Sequence, residues 1–185
     1  SPDGKNYIVV ANEISGTITI YQVITKPSVN LVNKNVCRNS TVDLGTIVNN
    51  NLVTAINGSG DYSFTWTPTT FLINQSTGNP TRILNNSNAT YSLTVKDNQT
   101  GMTATGQISI NVLNIPNVVL PLLYRHPKNT ALNLNDLISS ISGGKSPYNL
   151  VWRDKNGIIP DPTNVIPPVG LNAYFVIAID DNSCS

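Results

Sequence analysis

The sequence predicts an all-β chain of tandem antiparallel sandwiches behind an N-terminal hairpin, and three observations lead there. First, the chain repeats itself. Gly58-Ser59-Gly60-Asp61-Tyr62-Ser63-Phe64-Thr65-Trp66 is echoed by Gly143-Gly144-Lys145-Ser146-Pro147-Tyr148-Asn149-Leu150-Val151-Trp152, and Tyr91-Ser92-Leu93-Thr94-Val95-Lys96-Asp97-Asn98 by Tyr174-Phe175-Val176-Ile177-Ala178-Ile179-Asp180-Asp181-Asn182. The echoes lie 86 and 83 residues apart, the length of a small β-domain and far beyond a solenoid repeat. Second, apolar residues alternate with period two in short runs bounded by Gly, Asn and Pro. Third, helical periodicity is almost absent. Two modules therefore fit the 185 residues.

The elements follow in order. Tyr7–Asn12 and Thr17–Val23 form a hairpin, with Glu13-Ile14-Ser15-Gly16 as its turn, and Lys26-Pro27 breaks the pattern. The first module is expected to use Val29–Val32, Thr41–Leu44, Leu52–Ile56, Tyr62–Trp66, Thr90–Lys96 and Thr103–Val112 as strands. Gly58-Ser59-Gly60 and Asp97-Asn98-Gln99-Thr100-Gly101 read as tight turns needing positive φ, and Pro68 to Pro80 as a long loop. Ile115-Pro116 ends this module, since proline does not continue a central strand.

The second module repeats the order with Val118–Leu120, Ala131–Leu134, Tyr148–Trp152 and Ala173–Asp180. Asp136 to Ile141 is its one candidate helical turn, and Pro160-Asp161-Pro162 with Pro167-Pro168 keeps the intervening loop extended. The domain division is thus 1–25, a hairpin with its linker; 26–115, a sandwich; and 116–185, a second sandwich lacking its last strand. The first module closes with Met102 to Val112 after the Asp97 turn, whereas the sequence stops just after the equivalent Asp180 turn. An open sheet edge is the expected consequence. With its abrupt start at Ser1-Pro2-Asp3-Gly4-Lys5, the chain reads as a fragment of something longer.

Composition narrows the partners. Charged residues make up 11% of the chain, well below the usual quarter or so, and hydrophobic ones 39%. A surface of Asn, Thr and Ser is common in exported proteins. The net charge of +1 gives no footprint for nucleic acid or an anionic bilayer, and no apolar run is long enough to span a membrane. Cys37 and Cys184 are the only cysteines. They fall near the start of one module and the end of the next, so in modules set end to end the pair is expected to be too far apart to bond.

The residues Gly58-Ser59-Gly60, Tyr62-Ser63-Phe64-Thr65-Trp66-Thr67-Pro68, Asn79-Pro80-Thr81 and Thr90-Tyr91-Ser92-Leu93-Thr94-Val95-Lys96-Asp97 carry a resemblance. The modules resemble the Ig-like, PKD-like repeats of large surface and secreted proteins of Bacteroidetes, which implies Ig-like sandwiches. In that family a Gly-Cys pair in the closing turn bonds an early cysteine of the same module. Cys37 matches the early position of the first module and Cys184 the late position of the second. Their family partners are replaced here by Met102 and, at about the matching place, Pro127. Trp66-Thr67-Pro68 stands where PKD domains carry Trp-Asp-Phe-Gly-Asp-Gly. Separately, Ser1 to Lys5, Val10-Ala11-Asn12-Glu13 and Gly16 to Tyr21 are similar to the last hairpin of a lactonase-like or surface-anchor β-propeller.

Residues that could carry chemistry have structural readings beside them. His126 is the single imidazole, set in the apparent turn Arg125-His126-Pro127, and no nucleophile motif accompanies it. Asp180, Asp181, Asn182 and Asp154 offer the oxygen ligands calcium uses, but Asp and Asn also favour turns by bonding nearby amides. Trp66, Trp152, Tyr91 and Tyr174 occupy repeated positions, with Phe64 or Leu150 two residues before each Trp, the spacing of a core face. Asn-x-Ser/Thr triplets at Asn39, Asn57, Asn74, Asn85, Asn88 and Asn98 are given no role.

The expected function is non-catalytic: a structural or adhesion module of a larger bacterial cell-surface or secreted protein, spacing or displaying other domains of the same polypeptide. No cofactor is expected unless calcium is one. Surface polysaccharide or protein is the expected outside partner, with self-association through open sheet edges. The alternative is a carbohydrate-binding accessory module of a secreted enzyme, for which Tyr124, Tyr148 and Phe71 are the aromatics to inspect.

Overall fold

The computed structural model describes residues 6–83 and 86–185. Ser1 to Lys5 of the propeller likeness, and the triplet beginning at Asn85, lie outside the described residues. The chain is all-β, with antiparallel sheets in tandem behind an N-terminal hairpin. It divides into two compact units. Unit 1 is Ser1–Val36 with Ser40–Asn111; unit 2 is Cys37–Asn39 with Val112–Ser185.

The hairpin of unit 1 pairs β1 (Asn6–Asn12) with β2 (Thr17–Val23), in a register that sets Asn12 opposite Thr17. Its turn closes as the residue types require. Gly16 takes φ +65° and donates to the Asn12 carbonyl, while Asn12 Oδ1 accepts from the amides of Ile14 and Ser15. Every residue of both strands is exposed.

Six short strands follow: β3 (Ser28–Val29), β4 (Lys34–Cys37), β5 (Val42–Asp43), β6 (Ile47–Val48), β7 (Asn51–Leu52) and β8 (Ala55–Ile56). Then come β9 (Tyr62–Thr67), β10 (Leu72–Ile73), β11 (Thr81–Arg82), β12 (Ala89–Asp97) and β13 (Thr103–Leu113). A four-stranded sheet is ordered β4-β13-β12-β9, and a three-stranded one β10-β11-β5. Strand alternation builds the core. Tyr91, Leu93 and Val95 point inward from β12, while Ser92, Thr94 and Lys96 point outward. Across the sheet Leu93 faces Trp66 on one side and Gly106 on the other, and Tyr91 faces Ile108. A Cβ at Gly106 would come within 2.7 Å of Val29 Cγ1, so glycine lets β3 pack onto this sheet.

Unit 2 contains β14 (Asn117–Val119), the 3₁₀ turn η1 (Leu134–Leu137), β15 (Ser140–Ser142), β16 (Asn149–Asp154), β17 (Gly157–Ile158) and β18 (Phe175–Ile179). Its larger sheet is ordered β17-β16-β18, and β14 pairs with β15. Leu132, Leu134 and Trp152 are its buried apolar cluster, with Leu137, Leu150, Tyr174 and Val176 among those packed on it. Trp152 faces Val176 across the sheet as Trp66 faces Leu93 in unit 1, so the echo is one structural position used twice.

The structure revises several expectations. The segment 68–80 is not one loop: it contains β10, and the Thr77 carbonyl accepts from Trp66 Nε1 at 3.0 Å. β4 was not expected, because its alternation is poor; Asn side chains hold it instead, Asn33 Oδ1 accepting from the Ser109 amide and Asn35 Oδ1 from Asn111 Nδ2. The helical turn starts two residues early. Asn133 caps it by accepting from the Asn135 amide, and Ser140 to Ser142 are released to pair as β15. Of the strand expected over Ala131–Leu134, one bridge forms, between Leu132 and Val165.

The largest correction concerns the cysteines. Cys37 and Cys184 are disulfide-bonded, with their Cα atoms 5.4 Å apart across a sequence separation of 147. The expectation of distance failed because Cys37–Asn39 fold with unit 2, where the Arg38 amide donates to the Leu113 carbonyl. Asp180 packs close to Gly144 and Pro116, so the last turn of unit 2 returns to where the unit begins.

Candidate functional site

The echoed residues converge on one construction, a buried aspartate corner, built once in each unit. In unit 1 the corner joins the turn before β9 to the turn after β12. Asp97 is fully buried; its Oδ2 accepts from the Ser59 amide at 2.5 Å, and its Oδ1 from the amides of Gln99 and Thr100 at 3.0 and 2.9 Å. Gly58 makes the approach possible. It takes φ +68°, and a Cβ there would lie 2.5 Å from Asp97 Oδ2. The Tyr62 hydroxyl closes the turn by donating to the Asn57 carbonyl.

Unit 2 repeats this part by part. Asp180 Oδ2 accepts from the Lys145 amide at 2.8 Å, and Oδ1 from the amides of Asn182 and Cys184 at 2.9 and 2.8 Å. Gly144 takes φ +62°, with Asp180 Oδ2 2.9 Å from where a Cβ would sit. The Tyr148 hydroxyl donates to the Gly143 carbonyl at 2.8 Å, again five residues back. Cys184 belongs to this corner twice over, through its amide and through its sulfur.

The electrostatics follow from the donors. Burial would push the Asp97 carboxyl up, but the N–H groups of Ser59 and Thr100 outweigh it and hold the group at about 2, below the ordinary 3.8. Asp180 is likewise lowered: burial acts upward, and the amides of Cys184, Lys145 and Asn182 act downward more strongly. A carboxyl depressed on folding contributes stability that is present above its unfolded pKa. The contribution of the Asp97 corner is therefore full above about pH 4 and is lost as pH falls toward 2.

The corners account for the residues singled out as calcium ligands. Asp180 has both oxygens filled by three amide donors, whose positive ends oppose a cation. Asp181 pairs with Lys145 Nζ at 2.5 Å, and Asn182 supplies one of the three amides. Asp154 accepts from Asn156 through the amide and Nδ2 at the β16–β17 turn. Among the described residues no group of three or more His, Cys, Asp or Glu is gathered for a metal.

The aromatics divide similarly. Trp66, Tyr91 and Trp152 are buried, and each polar atom is bonded inward: Trp66 to Thr77, the Tyr91 hydroxyl to the Thr70 carbonyl at 3.2 Å, Trp152 Nε1 to Asn135 Oδ1 at 2.8 Å. Tyr174 is half-buried against the unit 2 cluster. Of the aromatics named for sugar stacking, Phe71 lies in unit 1 and Tyr148 is tied to Gly143. Tyr124 lines a hollow of about 820 Å³ that also touches Trp152 and Tyr174. Its ring stacks on His126 at 6.1 Å, and His126 Nε2 lies 2.8 Å from Thr130 Oγ1, which also reaches the Pro127 carbonyl.

No family model matches the chain, and no curated protein matches it. Solved structures similar to it include Ig-domain proteins and the extracellular cadherin domains 1–4 of Protocadherin Gamma B7. They include the N-terminal eight Ig domains of Down Syndrome Cell Adhesion Molecule isoform 1.30.30, at 16% identity over 77% of this chain and 22% of that one, TM-score 0.48. Extracellular domains 3–5 of Drosophila OTK match at 12% identity over 77% of this chain and 48% of that one, TM-score 0.39. Sidekick-1 immunoglobulin domains 1–4 match at 11% identity over 96% and 57%, TM-score 0.35. The chain spans less than two thirds of each of these structures. No helix among the described residues is long and apolar enough to cross a membrane.

Proposed function

We propose that the chain is a non-catalytic structural or adhesion module of a larger bacterial surface or secreted protein, spacing or displaying the domains joined to it. The observation that carries this reading is the duplicated aspartate corner. Asp97, Asp180, Trp66 and Trp152, which recur between the two halves, are each buried and hydrogen-bonded within their own unit. An exported location fits the Cys37–Cys184 bond, since disulfides persist in oxidising compartments. The tandem Ig-like, PKD-like repeats of Bacteroidetes are the group this proposal places it in, with the hairpin descending from a propeller.

The alternative, a carbohydrate-binding accessory module, has one observation in its favour: the hollow beside Tyr124, whose ring is 53% exposed. A thermal-shift screen against soluble plant, fungal and bacterial oligosaccharides separates the two. The structural reading expects no saccharide to raise Tm at millimolar concentration. A rise that disappears in Tyr124→Ala would overturn it in favour of the carbohydrate module.

A further inference from the structure

The Cys37–Cys184 bond decides which residues a pull on the polypeptide can reach. Cys37 is the last residue of β4, so β5 to β18 and both aspartate corners fall between the two cysteines. Among the described residues the buried aliphatic and aromatic side chains run from Leu44 to Ala178, so the cores of both units lie inside the covalent loop. The two Cα atoms that close this loop are 5.4 Å apart. A sequence separation of 147 that would otherwise extend to roughly 500 Å is thus spanned by one bond.

We propose that the bond is a load bypass. Tension entering through the polypeptide before Cys37 leaves after Cys184 by way of the two sulfurs, and residues 38–183 cannot be drawn out while the bond is intact. The inference rests on the reading of the chain as a spacer between joined domains. It holds whatever adjoins either end, because only the order of the cysteines and the two cores matters. What tension does reach is β3 and β4. β3 pairs with β8, and β4 is the edge strand beside β13. The Ser109 amide donates to Asn33 Oδ1, Asn111 Nδ2 to Asn35 Oδ1, and Lys34 Nζ to the carbonyls of Asp43 and Gly45. When these contacts give way, extension advances to Cys37 and stops. At the other end of the bond Cys184 is fully buried, and its amide is held by Asp180 Oδ1. Thiol exchange requires access to a sulfur, so the folded turn also shields the bond it anchors.

Optical-tweezers stretching of the whole chain, held by a peptide tag at each end, tests this. Without reductant the gain in length is expected to stop at about 130 Å, the reach of residues 1–36. Dithiothreitol added under tension, or Cys37→Ser with Cys184→Ser, is expected to release roughly 500 Å more. A non-reduced chain that lengthens as far as the double variant overturns the proposal. So does a double variant that lengthens no further than the non-reduced chain, since the bond then spares the cores nothing. Either failure leaves the spacer reading standing; that reading falls instead to a saccharide that raises Tm through Tyr124.

Discussion

Removing the Cys37–Cys184 bond lowers the stability of unit 2 by about 3 to 5 kcal/mol, the larger figure applying when the whole chain unfolds. The bond closes a loop spanning a sequence separation of 147, for which the chain-entropy argument gives about 5 kcal/mol. When unit 2 alone unfolds, the effect is smaller. Unit 1 keeps β4 beside β13 in one sheet, so Cys37 stays close to the start of the unit 2 segment and less entropy is released. The effect is still large, because Cys184 is fully buried and its amide is one of the three donors to Asp180. Freeing the sulfur loosens the corner as well as the loop. Denaturant unfolding of Cys37→Ala, Cys184→Ala should show the unit 2 transition at lower denaturant, with a smaller shift of the unit 1 transition, which lies inside the same loop. Coincident curves with and without reductant would show that the bond contributes nothing.

Truncating Trp152 to alanine is expected to unfold unit 2. The removed ring leaves a cavity, and large-to-small changes of this kind cost about 3 to 5 kcal/mol. Unit 2 has little to absorb that, since its buried apolar cluster is Leu132, Leu134 and Trp152. The change also removes the donor to Asn135 Oδ1, beside the 3₁₀ turn. Unit 1 is richer, with Leu44, Leu72, Tyr91, Leu93, Val95, Ile108 and Ile110 buried around Trp66. Trp66→Ala is therefore expected to destabilise unit 1 by a similar amount and leave it partly folded. Because the chain has two tryptophans, Trp152→Ala leaves Trp66 as a fluorescence reporter of unit 1 alone. Loss of the unit 2 amide signals with the Trp66 transition unchanged is the expected outcome.

What the sequence revealed follows the physics of each element. β9, β12 and β13 were legible because alternation over six or more residues forces one face inward, and a one-residue slip would reverse every side chain; the hairpin, exposed throughout, was legible from its β-rich runs on either side of a glycine turn. The repeat was legible for the same reason: Trp66 and Trp152 occupy one place in one sheet. β4 and β10 were not, since a strand of two to four residues held by Asn side chains or by a single neighbour carries no periodic signal. The disulfide was hidden by a matter of assembly. Spacing along the chain does not reveal that Cys37–Asn39 join unit 2, nor that the Asp180 turn returns to Pro116.

The candidate site was visible in part. Gly58, Tyr62, Asp97 and their partners Gly144, Tyr148 and Asp180 all stood out as echoed residues. Their joint purpose did not, because an aspartate in a turn has the same composition whether it binds calcium or three amides. The paired signal was there: a glycine just before the echo's tyrosine, and an aspartate at the end of the later strand, recurring together in both halves. Only the fold shows that the amide after each glycine, of Ser59 and of Lys145, lies 2.5 and 2.8 Å from the aspartate's Oδ2.

The most direct test of the structural reading is the NMR titration of the Asp97 side-chain carboxyl. A carboxylate caged by the amides of Ser59, Gln99 and Thr100 is expected to titrate at about 2. A midpoint at the ordinary 3.8 would mean that the amides do not hold it, and the corner would lose its role in joining the two turns.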